Sequence, residues 1–309
     1  MSMWKRVEAR IRSKREGLAF KYMPRFADWI MRRVALSAQG QFSDEVEPIG
    51  VLIDSCVRTH AITHEGAWID TGTVLWGGVH PINTGYIARV PVHAANNDSE
   101  DYVDICYLGS LIALARFGTM KFFTSSELIS EQLKHPPARF RTVGYSDYSI
   151  LDMVKIESLD GERYDFINMR KLFGGKNGLA EAQQARIAAN SDELHKAIMS
   201  CFKHQKHSQD AWHLRTAQVH GCRYLLTMDR KFVRLCEQHS SKLAAAGISV
   251  EVCSPTKLGE KLKLPKIPPW LFSYNDASFA VRADLHMPEQ KRRPTVGRRG
   301  VTIDDIAPR

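Results

Sequence analysis

The segment Ile49–Val57 reads IGVLIDSCV, a short and mostly apolar run whose hydrophobic part ends in the carboxylate of Asp54. Such a run is typical of a parallel strand that is buried on both faces. Four later segments have a similar strand-like character, with helical patterns between them: Met120–Phe123, Val154–Ser158, Tyr224–Thr227 and Ile248–Cys253. This order predicts an α/β fold, a three-layer α/β/α sandwich around a mostly parallel sheet.

The chain around this sheet divides into three parts. Residues 46–265 are expected to form the sandwich domain, with insertions at about 60–98 and 136–176. The first insertion is rich in Gly and β-branched residues and predicts a hairpin or small sheet. Residues 266–309 are interpreted as a Pro- and Arg-rich, largely disordered tail.

Residues 1–45 are predicted to be a basic, helical N-terminal arm. Apolar residues recur at helical spacing in 3–18 (Trp4, Val7, Ile11, Leu18) and again after Pro24, at Phe26, Ile30 and Val34. Because Pro24 interrupts the pattern, two helices are expected. These helices could dock on the core, reach a partner or lie along nucleic acid. Docking on the core is favoured, because each stripe is apolar enough to need cover.

The net charge of +9 is concentrated at the two ends of the chain. Residues 1–40 hold ten Lys and Arg against three acids, and residues 286–309 hold six against three, which leaves the middle close to neutral. Cationic ends suit attraction to a phosphate backbone, although they could also simply keep the protein soluble. The candidate nucleic-acid-binding residues are Arg10, Arg12, Lys14, Arg15, Arg32, Arg33, Arg292 and Arg293.

Several classes of protein are disfavoured by composition. No apolar run approaches the roughly 20 residues of a membrane helix, and the N-terminus lacks the apolar region of a secretory signal. The six cysteines are scattered without a C-x-x-C pair, so they are interpreted as reduced thiols. We therefore expect a cytoplasmic protein with no membrane partner.

Acidic residues recur at the expected carboxyl edge of the sheet, where sites form in such folds. Asp54 ends the first strand, and Asp229 lies just beyond the strand that closes at Thr227. Asp210 begins a helix, where it could equally favour the N-terminal dipole. In the helix TSSELISEQL, Glu127 fits a capping box with Thr124. Glu131, one turn deeper, is then the better candidate for the site.

Three segments resemble the PIN-domain family of metal-dependent ribonucleases. VLIDSCV resembles the family's first strand and first aspartate, and FTSSELISEQL resembles its second strand and the helix with its glutamate. The stretch from Asp210 to Phe232, D-x-x-H-x-x-x-A-x-x-x-G-x-x-x-L-L-T-x-D-x-x-F, resembles the third and fourth acidic positions. The chain departs from the family in the long segment that follows the first aspartate, and in Lys231, which stands where some members have a further acid.

The resemblance implies an acidic site that acts on phosphodiester bonds. Asp54, Glu131, Asp210 and Asp229 are the expected catalytic residues and metal ligands. Converging carboxylates need a compensating cation, and their hard oxygens favour Mg²⁺ or Mn²⁺. Ser55 and Thr227 are expected to hydrogen-bond these carboxylates from behind, together with Glu127. The expected substrate is single-stranded RNA, with DNA an open alternative.

Other interpretations stay open at this point. A PIN-like fold could serve as a nucleic-acid-binding or scaffolding module without catalysis. The protein could also be the toxin of a toxin–antitoxin system. It could form a homodimer or bind an inhibitory protein. His204, His207, Asp210 and His213 recur every three residues, but such a step drifts about 60° each time on a helix, which disfavours zinc. His207 or His213 is therefore expected to be a surface or substrate-facing group, or simply a polar residue of the helix.

Overall fold

The computed structural model describes residues 3–42, 47–133, 147–161, 178–202 and 207–287. The strands are β1 Ile49–Ile53, β2 Ile62–Trp76, β3 His80–Pro91, β4 Met120–Thr124, β5 Tyr148–Ser149, β6 Ile156–Ser158, β7 Tyr224–Leu226, β8 Glu251–Cys253 and β9 Ala280–Val281. Five of them form a central parallel sheet in the order β6-β4-β1-β7-β8, and the other four form a second sheet in the order β5-β2-β3-β9.

Helices cover both faces of the central sheet, so the predicted α/β sandwich is confirmed. In chain order they are α1 Met3–Ala38, α2 Ser55–His60, α3 Glu100–Arg116, α4 Ser126–Leu133, α5 Gly178–Ala189, α6 Glu193–Phe202, α7 Ser208–Val219, α8 Arg230–Gln238, α9 Ser240–Ala245 and α10 Pro255–Lys261.

The central strand β1 holds the layers together because its alternate side chains enter two different cores. Val51 and Ile53 pack in the cluster that contains Leu108 of α3. Leu52 packs in the other cluster, against residues such as Leu214 of α7. A strand buried on both faces needs apolar residues at successive positions, as Val51, Leu52 and Ile53 provide.

The first insertion forms the hairpin that its composition predicts. Strands β2 and β3 pair antiparallel from His64↔Pro91 to Trp76↔His80, with an irregularity between Asp70 and Gly72. Gly77 and Gly78 make the turn with positive φ angles of 61° and 76°, which favour glycine. The second insertion contributes β5 and β6, and its residues 136–146 and 162–176 lie outside the described residues.

The prediction of two docked helices in the N-terminal arm is wrong. A single helix, α1, runs from Met3 to Ala38 with Pro24 inside it. Its second half is anchored by Ala27, Met31 and Val34, which are buried. Burial of such side chains stabilises by about 1.5–3 kcal/mol for the larger ones, which offsets the roughly 3 kcal/mol that an interior proline costs.

The apolar stripe in the first half of α1 does not dock on the core. Val7, Ile11 and Leu18 are exposed, and so is Phe26, which was expected to be buried in the second half. Contact with the rest of the protein includes Phe20, whose ring meets Tyr274 edge-on. A pattern of apolar residues requires cover but does not say which partner supplies it.

The prediction of a disordered tail is wrong for residues 266–287. Ile267, Phe272 and Met287 are buried, and β9 pairs with β3. Arg292 and Arg293 fall in 288–309, outside the described residues. Within the described residues, the helices are all too short or too polar to cross a membrane.

Candidate active site at the carboxyl edge of the parallel sheet

Asp54 lies where β1 ends and α2 begins, beside the end of β7. Its amide donates to the carbonyl of Leu226 at 3.0 Å, which joins the two strand ends. Its carboxylate accepts hydrogen bonds from Thr227 Oγ1 at 2.6 Å and from Cys56 Sγ at 3.0 Å. The predicted contact between Thr227 and Asp54 is therefore confirmed, and the Asp54 carboxylate is held in one orientation.

Cys56 belongs to this network as a hydrogen-bonding thiol. Its sulfur accepts from the amide of Met228 at 3.1 Å and lies 3.2 Å from Thr227 Oγ1. Burial raises the pKa of the Cys56 thiol well above its usual range, and the charge of Asp54 raises it further. Because the protonated thiol donates to Asp54, Cys56 is a partner of the acid and not an activated nucleophile.

Ser55 connects the first two predicted acids. Its hydroxyl lies 3.2 Å from Asp54 Oδ1 and donates to Glu131 Oε2 at 2.9 Å. Glu131 projects from α4, which follows β4, the strand next to β1. The predicted role of Ser55 behind the carboxylates is confirmed by these contacts.

Glu131 is surrounded by donors from two further helices. Its Oε1 accepts from Gln183 Nε2 of α5 at 3.2 Å and from His213 Nε2 of α7 at 2.5 Å. The side-chain amide of Gln209 also donates to Oε1. Both oxygens of this buried carboxylate are therefore bonded within the protein, and the four contacts join α2, α4, α5 and α7.

Glu131 and His213 form a buried ion pair. Burial by itself raises the pKa of Glu131, but the charge and hydrogen bond of His213 outweigh it and lower the pKa to about 2. Burial by itself lowers the pKa of His213, but the charge and hydrogen bond of Glu131 raise it to about 9. The pair is ionised at neutral pH, so His213 balances the charge of Glu131.

The expectation that His213 lies at the surface is wrong, since its side chain is buried. The sequence held a signal for its position. Asp210 and His213 are three residues apart on one helix, and residues at that spacing share a face. The three-residue step prevents His204, His207, Asp210 and His213 from sharing one face as a set of four, but it leaves neighbouring pairs such as Asp210 and His213 on the same face.

Asp210 lies within electrostatic reach of Asp54. It lies in the first turn of α7, with its Oδ2 3.2 Å from His207 Nδ1. Burial raises the pKa of Asp210, the two histidines His207 and His213 lower it, and the charge of Asp54 raises it again. The carboxylates of Asp54 and Asp210 are thus close enough to repel each other.

Asp229 has a different position from the other three acids. It is exposed at the N-cap of α8, where its Oδ1 accepts from the amides of Lys231 at 2.8 Å and Phe232 at 3.2 Å. Its own amide donates to Thr227 Oγ1 at 3.1 Å, which links it indirectly to Asp54. The sequence pattern did not indicate this capping role.

Glu127 does not have the capping role that was predicted for it. Both of its oxygens are bonded by Arg186 of α5, at 2.8 and 2.9 Å. The start of α4 is capped instead by Ser125, which accepts from the amide of Leu128, and by Asp160, which accepts from the amide of Ser126. Glu127 is therefore the second glutamate of α4 whose charge is balanced inside the protein.

The basic residues predicted to contact nucleic acid lie on α1. Arg10, Lys14, Arg15, Arg32 and Arg33 are exposed there, and the side chain of Arg12 lies outside the described residues. The guanidinium of Arg32 is 5.8 Å from the ring of Phe117, at the end of α3. Because α3 ends just before β4 begins, this part of α1 lies at the amino edge of the sheet, opposite the acids.

A cleft of about 370 Å³ opens on the same edge as the acids. It lies between the beginnings of α3, α8 and α10, and Arg230, the neighbour of Asp229, is part of its wall. Its lining holds four acids and three cations: Asp98, Glu100, Asp104 and Glu260, with Arg230, Arg234 and Lys257. Arg230 is paired with Glu100 and Lys257 with Glu237, so the acids predominate in the cleft.

The carboxylates at this edge of the sheet differ in whether they could hold a divalent ion. Among the described residues, no three His, Cys, Asp or Glu side chains are grouped so that they could hold a metal ion. Glu131 is balanced by His213, whereas Asp54 and Asp210 have no Lys or Arg ion pair within the described residues. Hard oxygen donors from two carboxylates suit Mg²⁺, which commonly takes one or two carboxylates and completes its shell with water and substrate phosphate.

No protein-family model, curated protein or solved structure matches this chain. Membership of the PIN family therefore stays a prediction from the sequence segments quoted above.

Proposed function

We propose that the protein is a divalent-metal-dependent endonuclease that hydrolyses phosphodiester bonds, with single-stranded RNA as its substrate. The observation that carries this proposal is the pair of carboxylates of Asp54 and Asp210. They lie within electrostatic reach of each other at the carboxyl edge of the sheet, while the neighbouring Glu127 and Glu131 are balanced by Arg186 and His213. Asp210 has histidines beside it, but neither acid has a Lys or Arg ion pair within the described residues, and two such acids favour a bound cation.

Asp54 and Asp210 are the residues that would hold Mg²⁺ or Mn²⁺. A bound ion of this kind orients the phosphodiester, activates a water and stabilises charge on the leaving oxygen. The chain contributes orientation, because Thr227, Ser55 and Cys56 fix the carboxylate of Asp54. His207 lies beside Asp210 and is available to contact the substrate backbone.

Glu131 has a positioning role in this proposal. Its contacts hold α4, α5 and α7 together at the site, which fixes Ser55 on one side and the first turn of α7, with Asp210, on the other. A buried carboxylate with four protein donors gains little from a metal ion. Asp229 is proposed to act mainly as the cap of α8, at the entrance between the acids and the cleft.

One feature supports a nucleic-acid substrate. The net charge of +9 attracts a phosphate backbone over a distance. Preference for RNA over DNA rests on the PIN resemblance.

The test is a cleavage assay with end-labelled single-stranded RNA and the matched DNA, in Mn²⁺, Mg²⁺ or EDTA. We expect RNA cleavage that EDTA abolishes and that Asp54→Asn and Asp210→Asn each reduce by roughly 100-fold or more. Asp229→Asn, which preserves the cap, should stay within about tenfold of wild type. Glu193→Gln, an acid 93% exposed elsewhere, is the matched control for loss of one charge.

Cleavage that persists in both Asn variants would contradict the proposal. The absence of a three-acid group among the described residues favours one alternative, a module that binds RNA without cleaving it. That alternative predicts RNA binding that EDTA leaves unchanged and no cleavage under any of the metal conditions.

A further inference from the structure

Helix α1 has a second apolar face that nothing in the described structure covers. Its buried face holds Ala27, Met31, Val34 and Ala38. At 3.6 residues per turn, six large hydrophobic side chains fall within about 80° of one another on the opposite side of the helix. These six residues, which we call the exposed stripe, are Ile11, Leu18, Tyr22, Phe26, Trp29 and Leu36.

The side chains of the exposed stripe are strongly exposed. Ile11 is 62% exposed, Leu18 58% and Trp29 55%. Phe26 and Trp29 stack on each other, with ring centroids 5.9 Å apart. Scattered apolar residues are normal on a protein surface, but six that recur on one side of a helix over seven turns, with Arg15 and Arg33 between them, mark an interaction surface.

Cations border the exposed stripe on one side and interrupt it in two places. On the helical wheel Lys21, Arg25 and Arg32 lie along one side of it, whereas Arg15 and Arg33 fall within it, in a direction between Tyr22 and Phe26. The amine of Lys21 is 5.3 Å from the ring of Tyr22. A partner that covers the exposed stripe would therefore meet positive charge along one edge and at two points within the row.

This charge pattern excludes several occupants. A second copy of α1 would bring the same cations together, which is unfavourable at such flanking positions. The chain's own segments outside the described residues offer no acidic cover, since 134–146, 162–177 and 288–309 each contain more Lys and Arg than Asp and Glu. Residues 43–46 include two acids but are too short to cover the row.

A nucleic acid also fits less well than a protein. Tyr22 and Trp29 could stack on bases, but Ile11, Leu18 and Leu36 offer no aromatic face. Aliphatic and aromatic residues in one row at helical spacing match the apolar face of another helix. The flanking cations then find carboxylates at the edges of that face, as in paired helices.

We propose that the exposed stripe binds an amphipathic helix of another protein, whose apolar face is bordered by Asp and Glu. The surface lies away from the candidate active site. Arg116, at the end of α3, pairs with Asp28 of α1 at 2.7 Å, which fixes the middle of α1 at the amino edge of the sheet. The partner would therefore bind without covering Asp54 and Asp210, and this inference does not depend on nuclease activity.

The test uses a designed helical peptide of 28 residues with Leu along one face and Glu at the flanking positions. Its control is the same peptide with Lys in place of every Glu. Fluorescence anisotropy with the full chain should give an affinity for the Glu peptide roughly 30-fold or more above that for the Lys peptide, weakening as salt is added. Equal affinities for the two peptides would overturn the proposal.

Two sets of variants locate the binding. Tyr22→Ser with Trp29→Ser should lower the affinity for the Glu peptide by roughly tenfold or more, while Val219→Ser, at an exposed valine elsewhere, should leave it unchanged. Arg25→Glu with Arg33→Glu should reverse the preference in favour of the Lys peptide, which a merely destabilised helix would not do. A single-stranded RNA that displaces the peptide, or a dimer that Trp29→Ser dissolves, would assign the exposed stripe to another occupant.

Discussion

A buried histidine lies beside each of the two sheets of this protein, and one is neutral while the other is charged. At the edge of the central parallel sheet, His213 bonds to Glu131 at 2.5 Å. In the second sheet, His64 lies between two hydroxyl groups, Thr63 Oγ1 and Ser273 Oγ, each at 2.9 Å. Burial alone lowers the pKa of both histidines, so the difference between them comes from their neighbours.

The groups around His64 and His213 shift the pKa values of the two histidines in opposite directions. Burial, together with the charges of Arg89 and His93, lowers the pKa of His64 to about 3. Glu131 raises the pKa of His213 to about 9 against the effect of burial. His64 is therefore held in a neutral network, and His213 in a charged one at the candidate active site.

The largest expected effect comes from breaking the charged network. Replacing His213 with Leu leaves Glu131 buried without its cation, which should cost about 3–5 kcal/mol of the free energy of unfolding. Urea denaturation followed by circular dichroism, in EDTA, measures this cost. The double variant His213→Leu, Glu131→Leu removes both charges and should recover most of the loss. A double variant no more stable than the single one would contradict the ion pair.

Acid should weaken the neutral network. Because the pKa of His64 is about 3 in the folded protein and about 6.5 when unfolded, the unfolded chain binds this proton first as the pH falls. Stability is lost below pH 6.5 at about 1.4 kcal/mol per pH unit, or about 2 kcal/mol between pH 7 and pH 5. His64→Gln should lose that much less over the same range, measured by urea denaturation at each pH. Identical pH profiles would rule out a neutral buried His64.

The pH dependence of His213 should run in the other direction. Its folded pKa is about 9, above the unfolded value, so its stabilising effect is complete below pH 6.5 and disappears as the pH rises through 9. The difference in stability between wild type and His213→Leu should therefore shrink between pH 7 and pH 9.5. A difference that grows in this range would contradict the assignment.

The smallest effects are expected from a matched pair of serines. Ser55 donates to the ionised Glu131, and Ser273 contacts the neutral His64. A hydrogen bond to a charged group contributes about 1.5–3 kcal/mol, and one between neutral groups contributes about 1 kcal/mol. Ser55→Ala should therefore destabilise the protein more than Ser273→Ala does in the same denaturation experiment. The reverse order would contradict the contrast between the two networks.

The sheet was predictable because its determinants are local. Val51, Leu52 and Ile53 are apolar in succession, and Gly77-Gly78 is a turn between two strands rich in β-branched residues. The contact of Ser55 with the acids followed from the same topology. In each case a short segment contains the information that fixes its structure.

The charges at the site were less predictable because their partners come from distant segments. Glu127 is paired with Arg186, which is 59 residues away, and Glu131 with His213, which is 82 residues away. No local pattern says which of two acids will meet an internal cation. The single helix α1 was missed for a similar reason, since packing of Met31 and its neighbours overrides the local effect of Pro24.

We propose that Asp54 and Asp210, and not Glu131, hold the divalent ion. Titration of Mn²⁺ into the protein, followed by electron paramagnetic resonance of the free ion, tests this proposal without requiring catalysis. We predict that wild type and Glu131→Gln bind Mn²⁺ with affinities within about fivefold of each other, whereas Asp54→Asn and Asp210→Asn each weaken binding by roughly tenfold or more. Binding that is lost in Glu131→Gln but kept in Asp210→Asn would contradict the claim.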